Sequence, residues 1–264
     1  MSWRAEWLAV WAVVVRNAIM ASRNVFFFFE LLFWPIVGVV SIGFMTKFLG
    51  LTPAQGSFVL IGTMALSVVN VCQLEVAYAV LMDVWSKSIK HQFLAPIGIR
   101  HLTLGSWLVG IVRGFLVFVL VAALGGWAFG FRVLDPGVGA VALFLFGCFV
   151  NAWIVGVFVC ALITLFGNRA EAFAWASVNL VLMLAGIYYP ISVLPDAAAA
   201  VARAIPLTYF LDAYRSHFGF PSEFTAPVAT GLALSAFYAV AAHWTFFAAI
   251  QRARRTGLLL KMSE

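Results

Sequence analysis

Three ionisable residues interrupt long apolar runs in this sequence: Glu30, Glu75 and Arg113. Charge in such a setting does few kinds of chemistry. It locks helices together as an ion pair, it gates a path or contacts a charged cargo group, or it relays protons. A relay uses several carboxylates or histidines in series, and the runs hold only two acids and one arginine, so a structural pair ranks first. The other reactive residue types are dispersed. His91, His101, His217 and His243 stand apart, the aspartates at 83, 135, 196 and 212 never cluster, and no HExxH, GxSxG or CxxC occurs. Cys72, Cys148 and Cys160 all fall in apolar runs and read as small packing residues. A GxxxxGK[ST] phosphate loop is absent, so the chain has no loop of that kind to cradle ATP phosphates. It reads as a non-enzyme with no cofactor or metal of its own.

The elements that must position these charges are membrane helices. Hydrophobic residues make up 64% of the 264 and charged ones 10%. Soluble domains run near ~45–50% and ~25%, and a soluble fold of this size could not hide so much apolar surface. The expected fold is an all-α integral membrane protein with six spans, at 24–46, 58–82, 102–131, 140–166, 172–188 and 226–250. Each is long enough for a hydrocarbon core of ~30 Å at ~1.5 Å per residue. Pro35 falls within the first span and is expected to kink it. No cleavable signal peptide is apparent.

Residues 1–22 differ. Trp3, Trp7, Val10, Trp11 and Val14 recur on one side at helical spacing, with Arg16 and Arg23 nearly opposite. That pattern predicts an amphipathic helix in the interface, tryptophans at headgroup depth. The net charge of +6 does not point to nucleic acid, because the basic residues sit at the ends of apolar runs and form no stripe among aromatics. With both termini on one side, that side carries eleven lysines and arginines, from Arg4 through Lys261, against Lys47, Arg132, Arg203 and Arg215 opposite. The bias predicts cytoplasmic termini. Counting helix rise from that side places Glu30 at ~10 Å, Glu75 at ~12 Å and Arg113 at ~15 Å. At such similar depths Arg113 is expected to pair with Glu75, Glu30 or both.

Two segments carry a family likeness. One runs from Glu75 to Gly114, EVAYAVLMDVWSKSIKHQFLAPIGIRHLTLGSWLVGIVRG. The other runs from Gly186 to Arg215, GIYYPISVLPDAAAAVARAIPLTYFLDAYR. With six spans in about 260 residues, the whole chain resembles the permease subunits of the ABC-2 family of ATP-binding-cassette exporters. The resemblance implies a homodimer in the bacterial inner membrane, coupled to a separate cytoplasmic ATPase that holds ATP and magnesium. It implies a coupling helix at 84–94, with Trp85, Lys87, Lys90, His91 and Phe93 as ATPase contacts. It also implies re-entrant half-helices in the outer leaflet over 190–220, with Tyr188, Tyr189, Pro190, Pro195, Pro206 and Tyr209 at an outer gate and Asp196 as an N-cap. The implied cargo class is amphipathic or hydrophobic: a lipid, a glycan-lipid or polysaccharide, or a drug-like molecule. A self-sufficient channel or secondary transporter, and a membrane enzyme or assembly factor, are the competing readings.

Overall fold

The computed structural model describes residues 3–23, 25–88 and 97–257, and every regular element among them is helical. The long helices are α1 (Trp3–Arg23), α2 (Val25–Phe48), α3 (Pro53–Trp85), α4 (Ile99–Phe129) and α5 (Val138–Phe166). After a 3-10 turn at Gly167–Ala170 come the shorter α6 (Glu171–Leu184), a 3-10 turn at Ile191–Val193, α7 (Asp196–Arg203) and α8 (Pro206–Ser216). The last long helix is α9 (Pro227–Arg255). Helices suit this composition because lipid offers no hydrogen bonds, and a helix satisfies its own backbone. Four buried polar side chains inside the long helices are returned to the same ladder. Thr63 donates to the Val59 carbonyl, Ser67 to Thr63, Asn151 to Gly147 and Thr164 to Cys160.

Helix α3 is the axis of the bundle. It starts at a capping box, in which Thr52 and Gln55 satisfy each other's backbone, with Pro53 in the first turn. From Val59 to Val84 it is buried along most of its length, between α4 and α5. The approach of α4 is set by Gly110 and Gly114, four residues apart on one face. A Cβ on Gly110 would stand 3.0 Å from the Cys72 carbonyl, and one on Gly114 2.9 Å from the Phe149 ring and 3.4 Å from the Val68 carbonyl. The pairings 110 with 72 and 114 with 68 fix an antiparallel register. Helix α9 packs on α5 and α8, while α2 lies outside α3 and α4.

Among the described residues six helices are long and apolar enough to cross a membrane: α1, α2 from Leu31, α3, α4, α5 and α9. The number agrees with the sequence, but the membership differs at two places. The span expected at 172–188 is helical only to Leu184, about 21 Å of rise. Its chain nevertheless reaches from one end of α3 to the other, because Trp85 donates to Glu171 at 3.1 Å while Ile187 meets Gly62. Non-helical residues after Leu184 complete the distance. Gly186, at φ 71°, takes the left-handed turn that ends the helix.

Helix α1 qualifies by length and composition, yet its polar contacts stay at one end of the bundle. Glu6 binds Arg100 and His101, Asn17 binds Ser106 and Arg16 binds Asp83. Eleven residues of α1, ~16 Å, correspond to about six of α4, ~8 Å, so α1 crosses α4 obliquely. Trp3, Trp7 and Trp11 are exposed, as the amphipathic pattern requires. Val10 is not on that face. It turns inward with Val13 and Asn17, because at ~100° per residue it lies on the seam between the two faces.

Glycine contacts supply a test of this packing. A Cβ at Gly62 would lie 1.9 Å from the Ile187 carbonyl oxygen, whereas at Gly38 it meets only Thr63 Cγ2 at 3.9 Å. Gly62→Ala is expected to destabilise by about 1–3 kcal/mol, read as a fall in melting temperature in detergent. Gly38→Ala should leave the melting temperature unchanged or raise it slightly.

Candidate functional site

Functional side chains gather at three heights along α3. Near its lower middle, Arg113 of α4 donates to the Glu75 carboxylate. Register explains the reach. Residue 113 lies level with residue 69, about six residues or ~9 Å from Glu75, and the two side chains reach along the groove to close that gap. The Glu75 side chain is 3% exposed and that of Arg113 11%. Burying either charge alone would be costly, and each neutralises the other. The side chain of Glu30 lies outside the described residues, so the pairing seen is the one with Glu75.

At the end of α3 the chain makes a tight corner. Helix α3 continues through Val84 and Trp85, so no separate helix begins at 84 as the sequence suggested. The helix ends in a Schellman arrangement: Ser88 N–H donates to the Asp83 carbonyl and Lys87 N–H to Val84. Lys87 occupies the left-handed position at φ 55°, a place usually taken by glycine. Trp85 is half exposed, and its indole packs near Tyr78, which also faces Trp175 of α6. Through Asp83 the corner holds α1, by Arg16 at 3.3 Å. Through Trp85 it holds α6, by Glu171. Lys90, His91 and Phe93 lie outside the described residues.

The opposite end of α3 carries a feature that sequence reading missed. Arg215 of α8 is 5% exposed. Its guanidinium donates to the carbonyls of Gly186 at 2.6 Å, Ile187 at 2.5 Å and Phe58 at 3.1 Å. It also stacks over the Phe58 ring at 3.5 Å. Burial lowers its pKa while Asp212 and Glu223 oppose that shift, and an arginine remains charged at neutral pH. Arg215 thus supplies the donors that the non-helical carbonyls after α6 have lost. The only local signal was an arginine within the PLTYFLDAYR segment, with nothing to reveal its targets about thirty residues earlier.

Beside this clasp opens a hollow of about 510 Å³, walled by Phe58, Tyr188, Tyr189, Pro190, Phe220 and Phe224 and by the polar Gln55, Asp212 and Glu223. Tyr188, Tyr189 and Pro190 therefore meet at one cavity. Pro195, Pro206 and Tyr209 do not line it. Pro195 caps α7 and Pro206 opens α8, while Tyr209 is buried and donates to the Arg203 carbonyl at 2.8 Å. Asp196 is the first helical residue of α7 and not its N-cap, where its charge still suits the helix dipole.

The order of elements is as specific as any single contact: an oblique first helix, a long axial α3 with its corner, and a broken insert before the last helix. The family model of the ABC-2 type transporters matches residues 8–218, from α1 to beyond the end of α8. The chain belongs to the ABC-2 type transporter family. No curated protein matches its sequence. As an ABC-2 transporter membrane domain it is a multi-pass permease, and its three sites are an ion pair, a corner and a cavity.

The ion pair gives a direct prediction. Arg113→Leu leaves Glu75 buried without its cation and is expected to destabilise by about 3–5 kcal/mol. The exchange Glu75→Arg with Arg113→Glu should recover much of that loss, measured as melting temperature and as yield of folded protein in detergent. A double exchange no more stable than the single variant would refute pairing as the role of these residues.

Proposed function

We propose that this permease is half of an exporter pathway: a homodimer in the bacterial inner membrane, both termini cytoplasmic, driven by a separate ATPase subunit. The observation that carries this reading is the corner after α3, where Asp83 and Trp85 tie α1 and α6 to one short stretch of chain. A partner that moves the corner moves three helices at once. In this reading residues 84–94 are the docking segment, and Trp85, Lys87, Lys90, His91 and Phe93 face the ATPase. Helix α1 is the interfacial helix, supported by its exposed tryptophans and its contacts at one end of the bundle. The insert at 190–220 forms half-helices in the outer leaflet, and the hollow beside Arg215 is the outer end of the path. Its aromatic walls and few polar groups suit an amphipathic or hydrophobic cargo: a lipid, a glycan-lipid or polysaccharide, or a drug-like molecule. Glu75 and Arg113 hold the packing and do not contact cargo.

The test separates docking from transmission. Trp85→Glu with Phe93→Glu should abolish co-purification of the proposed ATPase subunit. Trp85→Phe removes only the hydrogen bond to Glu171, and should keep co-purification while lowering transport-linked ATPase activity in vesicles. Full co-purification by the double variant would exclude the 84–94 segment as the docking site.

A further inference from the structure

The first turn of α4 and the last turns of α9 enclose a groove of about 340 Å³. One wall ends in Arg100, and the other presents His243, Phe247, Ile250, Gln251 and Arg254. Positions 243, 247, 250 and 254 share one face of α9 and span ~16 Å. The groove therefore runs from the end of α9 back along the helix. Its two ends differ in chemistry. At the mouth stand two arginines and an amide, and among the described residues no acid lines the groove. Arg100 donates to Glu6 at 2.8 Å and its side chain is still 63% exposed. Among the described residues Arg254 has no ion-pair partner, and neither do its neighbours Arg252 and Arg255. The start of α4 adds partial positive charge, since Gly98 provides no side-chain cap. Away from the mouth Phe247 and Ile250 make an apolar wall that ends at His243, and Phe247 is 43% exposed.

Both helices are long and apolar enough to cross a membrane, so their ends lie at its surface. A groove cationic at the surface and apolar behind it matches a molecule with one anionic end and a hydrocarbon body. A free anion would use only the mouth. An acidic peptide would leave the Phe247 and Ile250 wall unused. We infer that the groove binds an anionic phospholipid, its phosphate between Arg100 and Arg254 and an acyl chain along Phe247 and Ile250. This site is separate from the ion pair, the corner and the outer hollow, and it does not rest on the proposed ATPase.

The full chain in detergent is titrated with phosphatidylglycerol, phosphatidylcholine or inorganic phosphate, and bound lipid is counted by native mass spectrometry. Phosphatidylglycerol should be retained about fivefold better than phosphatidylcholine for each basic residue engaged. Arg254→Gln should remove about one such factor without altering phosphatidylcholine, and Phe247→Ala should weaken phosphatidylglycerol retention as well. Melting curves show whether each variant is folded, and a swap to Arg254→Lys that restores retention supports the charge requirement. Equal retention of the two lipids overturns the proposal, as does an unchanged preference in Arg254→Gln. Displacement of phosphatidylglycerol by inorganic phosphate at comparable concentration assigns the mouth to a free anion instead. Loss of a protein partner in Arg254→Gln with lipid retention intact assigns it to a protein contact, and likewise overturns the lipid site.

Discussion

A polar group inside this protein can be satisfied only by another part of the protein. Lipid donates nothing to a bare carbonyl, and that constraint explains where the chain is regular and where it is not. Thr63, Ser67, Asn151 and Thr164 return their side-chain donors to the ladder of their own helices. Where the backbone leaves the helix after Leu184, a buried arginine supplies N–H groups from another element. Without Arg215 the carbonyls of Gly186 and Ile187 would face aromatic rings and aliphatic chain. The broken segment and the buried cation are therefore one feature, and neither is stable alone.

The same constraint shapes the ion pair. Arg113 could have been placed level with its acid, yet it reaches several residues along α4 to meet Glu75. Close approach of α3 and α4 at Gly110 and Gly114 leaves a narrow groove for its stem, with apolar neighbours on both sides. Charge neutralisation and helix registry are thus accomplished by one contact, and its direction is towards the membrane surface.

What could be read from residue types alone followed the same physics. Apolar runs located the long helices, because hydropathy reports the solvent each residue prefers. Depth counting paired Arg113 with an acid, because helix rise is nearly constant. Pro190, Pro195 and Pro206 marked the starts of short helices, because proline suits a first turn. The failures were non-local or lay at boundaries. The apolar run continues to Tyr188 and hides the stop, which Gly186 alone marks locally; the donors that satisfy the freed carbonyls sit at position 215. Val84 and Trp85 continue the pattern of α3, and its stop has a lysine where glycine would have been the signal. Val10 lies on a seam between two faces, where periodicity cannot choose. The contact of Gly62 with Ile187 joins residues 125 apart, a distance no local pattern crosses.

Helix α6 is fastened to α3 at both ends, by Trp85 and Glu171 at one and by Ile187, Gly62 and Arg215 at the other. Two stiff rods pinned together at both ends cannot slide past one another, and neither can shorten without losing a turn. The freedom left to the pair is to rock as a single strut. Displacement at the Trp85 pin then emerges at the Ile187 pin as a tilt of the aromatic wall, transmitted at constant length.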